Sequence, residues 1–484
     1  MSRRPRETGA PDAGPNSSAS GPLRDYEAAL DWLDSHIDLE RLLGSPEATA
    51  PTLDRMWTLM GILGDPQDSV PAIHITGTNG KGSTARLAAA LLGACGLAAG
   101  SYTSPHIERV NDRISVANEP LDDESFALAV SEIAVFEPMA IDRCGERPNY
   151  FEVMAAAAYN WFASTAHVNV IEVGMGGRWD ATNVVDAAVA VITNISADHL
   201  EIIGPTLADV ASEKAGIISP GATVVCGETS PDLVEIVAGV AAETRSELWR
   251  RGVDWDVTAR RPAIGGQLVT VFTPFGERSD HFVPLHGAHQ AVNVATAICS
   301  VEAFFGRRLD DDVVAAALED VTLPARFEIV AGQPTVVIDG AHNPAGAVSL
   351  RDTLAETLSI CADATAGFDE SAPTSRGSAR VLVIGANRPH DPAAFCEALD
   401  LGVFDAVVAT AASWPRATPP SDVVDAVGRA AIGCDRPPEI VPIASVDDAV
   451  RWAADRAGAD GTVVVSGSLY VAAEARRLLG GDPH

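Results

Sequence analysis

The sequence predicts an α/β protein in which two doubly wound units, each with a mainly parallel sheet, follow one another along the chain. Short apolar runs alternate with longer helical patterns, which is the order that parallel sheets require. The pattern restarts near residue 326, so we place one domain over residues 23–325 and a second over residues 326–484. At 484 residues the chain is also too long for one typical core.

In the first unit, apolar runs typical of buried strands lie at residues 70–75, 98–106, 168–173 and 188–193, and the second run ends in a polar turn. Helical patterns lie at residues 23–43, 86–95, 122–136, 153–164, 206–218, 288–305 and 311–318. Residues 109–115 are polar and predict a loop. Residues 253–283 form short alternating runs with Gly-rich turns, which predict a small β subdomain.

The second unit continues the alternation and predicts a Rossmann-like α/β domain. Its strands are expected at residues 336–339, 380–385, 406–411 and 461–466. Its helices are expected at residues 344–358, 392–399, 421–431, 446–457 and 470–479. Residues 361–379 are rich in Ala, Ser, Thr, Gly and Asp, so we expect a flexible insertion there.

The N-terminal segment and the absence of long apolar runs bear on location. Residues 1–22 carry three arginines, followed by Gly, Pro, Ser and Ala without an apolar block, so we expect a disordered tail rather than a signal peptide. No apolar run reaches the ~20 residues of a membrane span. We therefore expect a cytoplasmic protein that has no membrane partner.

Charge and cysteine content exclude several classes of function. The chain has 34 basic and 66 acidic residues, hence a formal net charge of −32, which argues against binding to nucleic acid or to anionic membranes. The seven cysteines are scattered and include no C-x-x-C pair. A zinc site and a disulfide framework are both unfavoured by that spacing.

Lysine is almost absent, because only Lys81 and Lys214 occur beside 32 arginines. Two retained lysines indicate sites where an amine is needed that a guanidinium cannot replace. An acidic chain poor in lysine also fits adaptation to high salt, where screening relieves self-repulsion. A GC-rich genome that favours arginine codons explains the same composition equally well.

Residues 73–84, IHITGTNGKGST, form an apolar run that stops at a glycine-rich turn before a helical pattern. Backbone N–H groups of such a turn, the helix N-terminus and the Lys81 ammonium suit polyphosphate oxygens, and a hydroxyl can reach magnesium. The motif departs from G-x-x-x-x-G-K-[ST], because Gly82 follows the lysine and Ile75 replaces the leading glycine. A turn that binds nothing is the alternative.

Polar residues at several other predicted strand ends extend this site. Glu172 ends a buried apolar run, so it must be paired or bind a metal, and it is a candidate magnesium ligand. A buried salt bridge with Arg178 is the alternative. The carboxyl ends of parallel strands meet at one edge, so Lys81, Ser104, Glu172 and His199 are expected to converge there.

Nine motifs occur in one order: HITGTNGKGST, YTSPH, YFE, IEVGMGGRWDATN, DHLEIIGPTLADVASEKAGI, HQAVNVATA, PARFE, IDGAHNP and SGSLY. The set closely resembles the folylpolyglutamate synthase and dihydrofolate synthase family, relatives of the Mur ligases. The resemblance implies an N-terminal P-loop ATP-binding domain and a C-terminal ligase domain. It also implies ligation of L-glutamate to dihydropteroate or to reduced folates, in which an acyl phosphate forms first. GTNGKGS is that family's usual loop, which accounts for Gly82.

The resemblance implies ATP and magnesium as cofactors and assigns their contacts. It implies phosphate binding by Asn79, Gly80, Lys81, Gly82 and Ser83. It implies magnesium ligation by Ser104, Glu172 and His199, and further ATP contacts by Asn293, Arg326 and Asp339. Lys214 matches the family's carbamylated lysine. Only an amine can be carbamylated in this way, which gives that residue a chemical reason to be one of two lysines.

Substrate contacts are implied in the same way. Contacts with the incoming glutamate are implied for His342 and Ser468. The pterin-bearing substrate is implied to contact Ile37, Asp38, Leu39, Asn149, Tyr150, Phe151, Trp179, Asp180 and Ala181. The glutamate amine must be neutral to attack, so either Asp339 or His342 is expected to act as the base.

Three questions stay open from sequence. A Mur-type ligase that acts on a nucleotide-linked precursor is the nearest alternative, although only 72 residues precede Ile73 to form a further N-terminal domain. A nucleotide-binding module without ligation leaves IDGAHNP unexplained. Monofunctional and bifunctional members of the family are too similar to separate. A monomer is the expectation that the family suggests.

Overall fold

The computed structural model describes residues 23, 25–38, 52–197, 200–330, 332–366 and 378–480. Within these residues the strands form three sheets, of eight, three and six strands. Two of the sheets are mainly parallel and covered by helices on both faces, as the sequence predicts. No helix in the described residues is long and apolar enough to cross a membrane.

The first sheet contains β1 Ala72–Thr76, β2 Ala99–Tyr102, β3 Ile114–Val116, β4 Glu119–Pro120, β5 Val168–Glu172, β6 Val189–Ile192, β7 Thr223–Cys226 and β8 Glu247–Arg250. Their order across the sheet is β4-β3-β2-β5-β1-β6-β7-β8. Strand β1 pairs in parallel with β5 and β6, and β2 pairs in parallel with β5. The carboxyl ends of these four strands therefore share one edge, where open α/β sheets bind ligands.

Helices cover both faces of this sheet: α1 Tyr26–Asp34, α2 Asp54–Leu63, α3 Lys81–Ala94, α4 Asp123–Cys144, α5 Tyr150–Thr165, α6 Leu200–Ile203, α7 Leu207–Lys214, α8 Pro231–Glu243, α9 Ala288–Phe305 and α10 Asp311–Glu319. Alternate residues of β1 enter two different cores. Ile73 packs with residues of α3, α9 and α10, whereas Ala72 packs with residues of α1, α2, α4 and α5. Strand β1 is buried along its whole length.

The predicted β subdomain is an antiparallel sheet of β9 Asp256–Ala263, β10 Gly266–Thr273 and β11 Gly276–Val283, with β10 in the middle. Buried Val269, Val271 and Val283 join the core that α3 and α9 form. The inner face of this small sheet therefore packs on the first unit, and its other face stays largely exposed.

The second large sheet contains β12 Glu328–Val330, β13 Thr335–Ile338, β14 Arg380–Ile384, β15 Ala406–Ala409, β16 Glu439–Pro442 and β17 Thr462–Ser466. Their order is β12-β13-β17-β14-β15-β16, and β12 alone among them pairs antiparallel. Helices α14 Val446–Ala457 and α15 Leu469–Leu478 cover one face. The other face is covered by α11 Pro344–Ala366, α12 Pro392–Leu399 and α13 Pro420–Ala430.

Several predicted boundaries are wrong. The first helix ends at Asp34, and residues 39–43 of the predicted helix lie outside the described residues. Residues 110–116 form a short 3-10 turn and strand β3 rather than a loop, because Ile114 is buried against the sheet. Helix α11 continues to Ala366, so residues 361–366 of the predicted insertion are helical. Residues 1–22 and 367–377 lie outside the described residues.

Other elements carry too weak a pattern to be predicted. The strands β4, β7, β8, β12 and β16 and the helices α2, α6 and α8 were not predicted. Edge strands such as β4 and β12 are two or three residues long and half-exposed, so they lack the continuous apolar run that marks a central strand.

Candidate active site

The phosphate loop connects β1 to α3, and two of its glycines are required by close contacts. Gly80 caps α3 with φ +82°, and a Cβ there would lie 2.5 Å from Asn293 Oδ1. A Cβ on Gly82 would lie 3.2 Å from Glu172 Oε2. A residue larger than glycine at position 82 would therefore crowd the Glu172 carboxylate, which gives a physical reason for the unusual motif.

The loop that follows β6 holds the phosphate loop in place. Thr193 Oγ1 and Asn194 Nδ2 both donate to the carbonyl of Asn79, at 2.7 and 2.8 Å. Asn79 N–H in turn donates to Asn194 Oδ1 at 3.0 Å. Neither Thr193, which ends a predicted strand, nor Asn194, which follows it, was predicted to belong to the site, although polar residues at a strand end indicate one. Lys81 Nζ donates to the carbonyls of Gly77 and Thr78, at 3.1 and 3.3 Å.

Glu172 lies at the buried carboxyl end of β5, beside the phosphate loop. Its Oε2 accepts the Ser104 backbone N–H at 3.0 Å. Burial raises the pKa of the Glu172 carboxyl, while Lys81 and Arg326 act in the opposite direction. The alternative buried pair with Arg178 does not form, because Arg178 donates to the Ser212 carbonyl instead.

The surroundings of Glu172 fit a hard cation. A small cavity of about 40 Å³ is lined by Gly82, Ser83, Ser104 and Glu172, which offer a carboxylate and hydroxyl groups as oxygen ligands, and also by Arg86 and Arg326, whose guanidinium groups suit phosphate oxygens. The third predicted ligand, His199, lies outside the described residues. Among the residues that are described, no three His, Cys, Asp or Glu side chains are grouped closely enough to hold a metal.

Lys214 ends α7 and is buried, at 4% exposure. The neighbouring Glu213 accepts the Trp179 backbone N–H at 3.1 Å, and the Glu213 carbonyl accepts the N–H of Arg178. A Cβ on Gly177 would lie 3.0 Å from the Lys214 Cα. The turn after β5 thus packs directly on the helix end that carries Lys214.

A second cavity, of about 220 Å³, lies between the two large sheets and collects many of the residues expected to bind substrate. We call it the substrate cavity. Its lining from the first unit includes Ser104, Asn149, Phe151, Trp179, Asp180 and Ala181, and its lining from the second unit includes His342. Ser104 also lines the small cavity beside Glu172, so the two spaces meet at this residue.

Among the described residues that were predicted to contact substrate, Ile37, Asp38, Tyr150 and Ser468 do not line this cavity. Ile37 is 60% exposed, and its carbonyl accepts the Tyr150 N–H at 3.0 Å. Asp38 follows it in an irregular segment, and Leu39 lies outside the described residues. Tyr150 is buried, with the Arg113 guanidinium 5.5 Å from its ring centroid.

Ser468 is buried just behind the wall of the substrate cavity. Its Oγ accepts Asn387 Nδ2 at 2.9 Å and the Tyr470 N–H at 3.2 Å. Its neighbours Gly467 and Leu469 do line the cavity. The Ser468 side chain therefore positions Asn387 and the start of α15, and it does not face the space itself.

Sequence reasoning missed the second unit's main contribution to the substrate cavity. Asn387 follows β14 and Arg416 follows β15, and both line it together with His390 and Tyr470. The rings of His342 and His390 lie 5.2 Å apart, and Tyr470 stacks on Trp414 at 4.1 Å. The strand-end rule that led to Glu172 would have found Asn387 and Arg416 had it been applied here.

The expected ATP contacts lie between the phosphate loop and the second unit. Asp339 Oδ2 accepts the Phe327 N–H and Oδ1 accepts the Ala341 N–H, each at 2.8 Å. Burial raises the pKa of Asp339, while the Arg326 charge opposes this. Asn293 donates to Gln290 Oε1 at 2.9 Å. Both Asp339 oxygens are thus occupied by backbone donors.

This fold and site define an ATP-dependent ligase with two conserved domain types. The family model of the Mur ligase middle domain matches residues 75–301, and that of the Mur ligase glutamate ligase domain matches residues 325–469.

Known proteins make the assignment more specific. The chain is 38% identical to the dihydrofolate synthase/folylpolyglutamate synthase of Mycobacterium tuberculosis, over 98% of this chain and 99% of that protein. The M. tuberculosis folylpolyglutamate synthase structure complexed with ADP and AMPPCP superposes with a TM-score of 0.82 at 36% identity, covering 95% of this chain and all of that one. The Escherichia coli FolC structure in complex with DHPP and ADP gives 0.76 at 28% identity, covering 94% and 98%. The chain belongs to the dihydrofolate synthase/folylpolyglutamate synthase family.

Proposed function

We propose that this chain uses ATP to join L-glutamate to dihydropteroate, to reduced folates, or to both, through an acyl phosphate. The observation that supports this best is the position of Ser104. Ser104 lines two cavities: the small one, which lies beside Glu172 and the phosphate loop, and the larger substrate cavity. A carboxylate held in the substrate cavity would therefore meet a γ-phosphate held by the loop at this residue.

The first step forms a bond between the substrate carboxylate oxygen and the γ-phosphorus, and the bond to the β-phosphate oxygen breaks to release ADP. Lys81 and the N–H groups of Gly80, Gly82 and Ser83 offset the charge on the transferred phosphoryl group. Ser104, Glu172 and His199 would hold Mg²⁺, which supplies further charge neutralisation when bound. Asn293, Arg326 and Asp339 would contact the nucleotide from the domain junction.

In the second step the glutamate amine attacks the acyl carbon, and inorganic phosphate leaves as the new amide forms. The amine must first lose a proton to a base. His342 suits this role better than Asp339, because its ring lines the substrate cavity whereas both Asp339 oxygens accept backbone N–H groups. The covered cavity between the units would protect the acyl phosphate from water.

Glutamate brings two carboxylates to this cavity, and Arg416 is its one lining Arg or Lys side chain among the described residues. We assign Arg416, with His342 and His390, to the glutamate carboxylates. Asn149, Phe151, Trp179, Asp180 and Ala181 would contact the pterin-bearing substrate, as would Ile37, Asp38 and Leu39. Ser468 and Tyr150 would act from behind the wall.

Lys214 would be carbamylated. Its carboxylate would lie near the metal site, because the turn at residues 174–179, which follows Glu172, packs on the end of α7. We further propose a monomeric, cytoplasmic enzyme with small-molecule partners only. Its acidic surface argues against nucleic acid as a partner.

Phosphate release tests the function directly. Purified protein with ATP, Mg²⁺ and L-glutamate would be supplied with dihydropteroate, with a reduced folate, or with a nucleotide-linked peptidoglycan precursor. We expect release with one or both pterin compounds, and their relative rates decide between a monofunctional and a bifunctional enzyme. Release with the peptidoglycan precursor alone would instead support the Mur-type alternative.

A further inference from the structure

A buried chain of hydrogen bonds runs from strand β1 to the wall of the substrate cavity. His74 Nε2 lies 2.9 Å from Thr182 Oγ1, and Thr182 Oγ1 donates to Asp180 Oδ1 over 2.5 Å. His74 and Thr182 are both 0% exposed, and Asp180 lines the cavity. His74 therefore reaches the cavity wall through a single hydroxyl group.

The direction of each hydrogen bond follows from the groups at the Asp180 end. Asp180 Oδ1 also accepts the Thr182 N–H, and Oδ2 accepts the Met175 N–H, each at 3.0 Å. A carboxylate with both oxygens occupied in this way acts as an acceptor, so the Thr182 hydroxyl gives its one proton to it. The Thr182 oxygen must then accept a hydrogen bond from His74, which requires that Nε2 carry the ring proton.

The surroundings of His74 agree with this assignment. Its Nδ1 is buried and has no hydrogen-bond partner among the described residues. An unpartnered nitrogen costs less when it carries only a lone pair than when it carries an N–H, so Nδ1 is the unprotonated nitrogen. Burial lowers the pKa of His74 to about 3, so the ring stays neutral at physiological pH. A neutral ring protonated on Nε2 is the form that the hydrogen-bond chain needs.

A second bond links the same strand to the same wall. Thr76 Oγ1 donates to the Gly176 carbonyl at 2.7 Å, within the turn that also carries Met175. Strand β1 is thus tied to the cavity wall at two points, two residues apart, immediately before it enters the phosphate loop.

We propose that His74 and Thr182 are positioning residues that hold Asp180 by its Oδ1, which accepts two donors from Thr182, so that Oδ2, which accepts the Met175 N–H, keeps a lone pair for an N–H donor of the pterin-bearing substrate. This rests on the proposed function, which places that substrate against Asp180. Asp180 touches substrate in this account, whereas His74 and Thr182 act on it only through hydrogen bonds.

Substitutions at Thr182 separate positioning from folding. Thr182→Val keeps the shape but removes the hydroxyl, and we expect the KM for dihydropteroate to rise about tenfold while the KM for ATP changes less than twofold. Thr182→Ser restores the hydroxyl and is expected to recover most of the loss. His74→Phe should resemble Thr182→Val, and the double variant should be no worse than either. Equal losses in Thr182→Ser and Thr182→Val, or a matching change in the KM for ATP, would overturn the proposal.

A second measurement does not depend on ligation. Two-bond ¹H–¹⁵N correlation spectra of the histidine-labelled protein report the tautomer of each ring. We expect one neutral ring protonated on Nε2 that stays neutral down to at least pH 5, assigned to His74 by its loss in His74→Gln. A ring protonated on Nδ1 would overturn the proposal even if the enzyme ligates glutamate. The expected tautomer in a protein that binds neither dihydropteroate nor a reduced folate would count against the proposed function alone.

Discussion

Asn79 of the phosphate loop and Asn343 of the second unit form a reciprocal pair of amide hydrogen bonds. Asn343 Nδ2 donates to Asn79 Oδ1 at 3.0 Å, and Asn79 Nδ2 donates to Asn343 Oδ1 at 3.4 Å. Asn343 Oδ1 also accepts the Gly346 N–H at 2.8 Å in the first turn of α11. The loop expected to bind ATP is therefore hydrogen-bonded directly to the unit expected to bind glutamate.

Asn343→Asp tests the function of this pair. The carboxylate keeps the Gly346 bond but turns an oxygen toward Asn79 Oδ1 and adds charge beside the phosphates. We expect kcat to fall about tenfold, or about 1.4 kcal/mol in the barrier, with the fold retained. Asn118→Asp, in the exposed turn between β3 and β4, is the matched control and should leave kcat unchanged. An unaltered kcat in Asn343→Asp would mean that the pair has no role in turnover.

Gly82→Ala should weaken the metal site. Its Cβ would lie 3.2 Å from Glu172 Oε2, so the carboxylate must shift by a few tenths of an ångström. We expect at least a tenfold rise in the Mg²⁺ concentration needed for half-maximal activity. Gly93→Ala on the same helix has nothing within 4 Å and should stabilise the fold by about 0.5–1 kcal/mol without changing the Mg²⁺ requirement. The same Mg²⁺ requirement in both variants would contradict this reading of the loop.

Glu172→Gln should alter the pH dependence of stability. The folded state raises the pKa of Glu172, so it binds this proton more tightly than the unfolded state does. In metal-free buffer that contribution is full below the unfolded pKa and is lost as pH rises through the raised one. We expect thermal scans to show the wild-type Tm falling relative to Glu172→Gln over that interval. Added Mg²⁺ should raise the Tm of the wild type only, and a Gln variant stabilised equally by Mg²⁺ would remove Glu172 from the metal site.

Lys214→Arg should fold and lose most of its activity. The residue is buried at the end of α7, and a guanidinium keeps the positive charge of an unmodified lysine but cannot form the negatively charged carbamate. Circular dichroism checks the fold, and ¹³C NMR of protein equilibrated with ¹³C-bicarbonate looks for the carbamate in the wild type. A fully active arginine variant would rule the modification out as a requirement.

Arg416→Gln should weaken the binding of glutamate without affecting the binding of ATP. Loss of the cavity's lining cation is expected to raise the KM for glutamate at least tenfold, with the KM for ATP changed less than twofold. Arg388→Gln removes an exposed side chain near Asp422 and serves as the control. Comparable effects of the two variants would show that Arg416 has no specific contact with glutamate.

Sequence patterns predicted the succession of strands along the chain and the position of the site at their carboxyl ends, because a buried strand followed by polar residues is a local signal. Glu172 and Ser104 were found in that way, and they do lie together. Contacts between distant loops leave no such signal. The hydrogen bond from Thr193 to Asn79 joins residues 114 positions apart along the chain, and the pairing of Asn79 with Asn343 joins residues 264 positions apart.

Helix lengths were less predictable than strand positions for a related reason. Helix α11 continues past residue 358 through a stretch whose Ala, Ser, Thr and Asp content gives little apolar periodicity. Of the residues predicted to contact substrate, Phe151 and Trp179 line the substrate cavity and Ser468 does not, although its neighbours Gly467 and Leu469 do, since adjacent side chains along the chain can face opposite sides of the wall.

Transfer of ¹⁸O tests the central claim most directly. Dihydropteroate labelled in both carboxylate oxygens would be incubated with the protein, ATP, Mg²⁺ and L-glutamate, and the products would be analysed by mass spectrometry. An acyl phosphate predicts one ¹⁸O in each inorganic phosphate released and one retained in the new amide. Ligation with unlabelled phosphate would contradict the acyl phosphate, and the absence of any ligated product with either dihydropteroate or reduced folates would contradict the function itself.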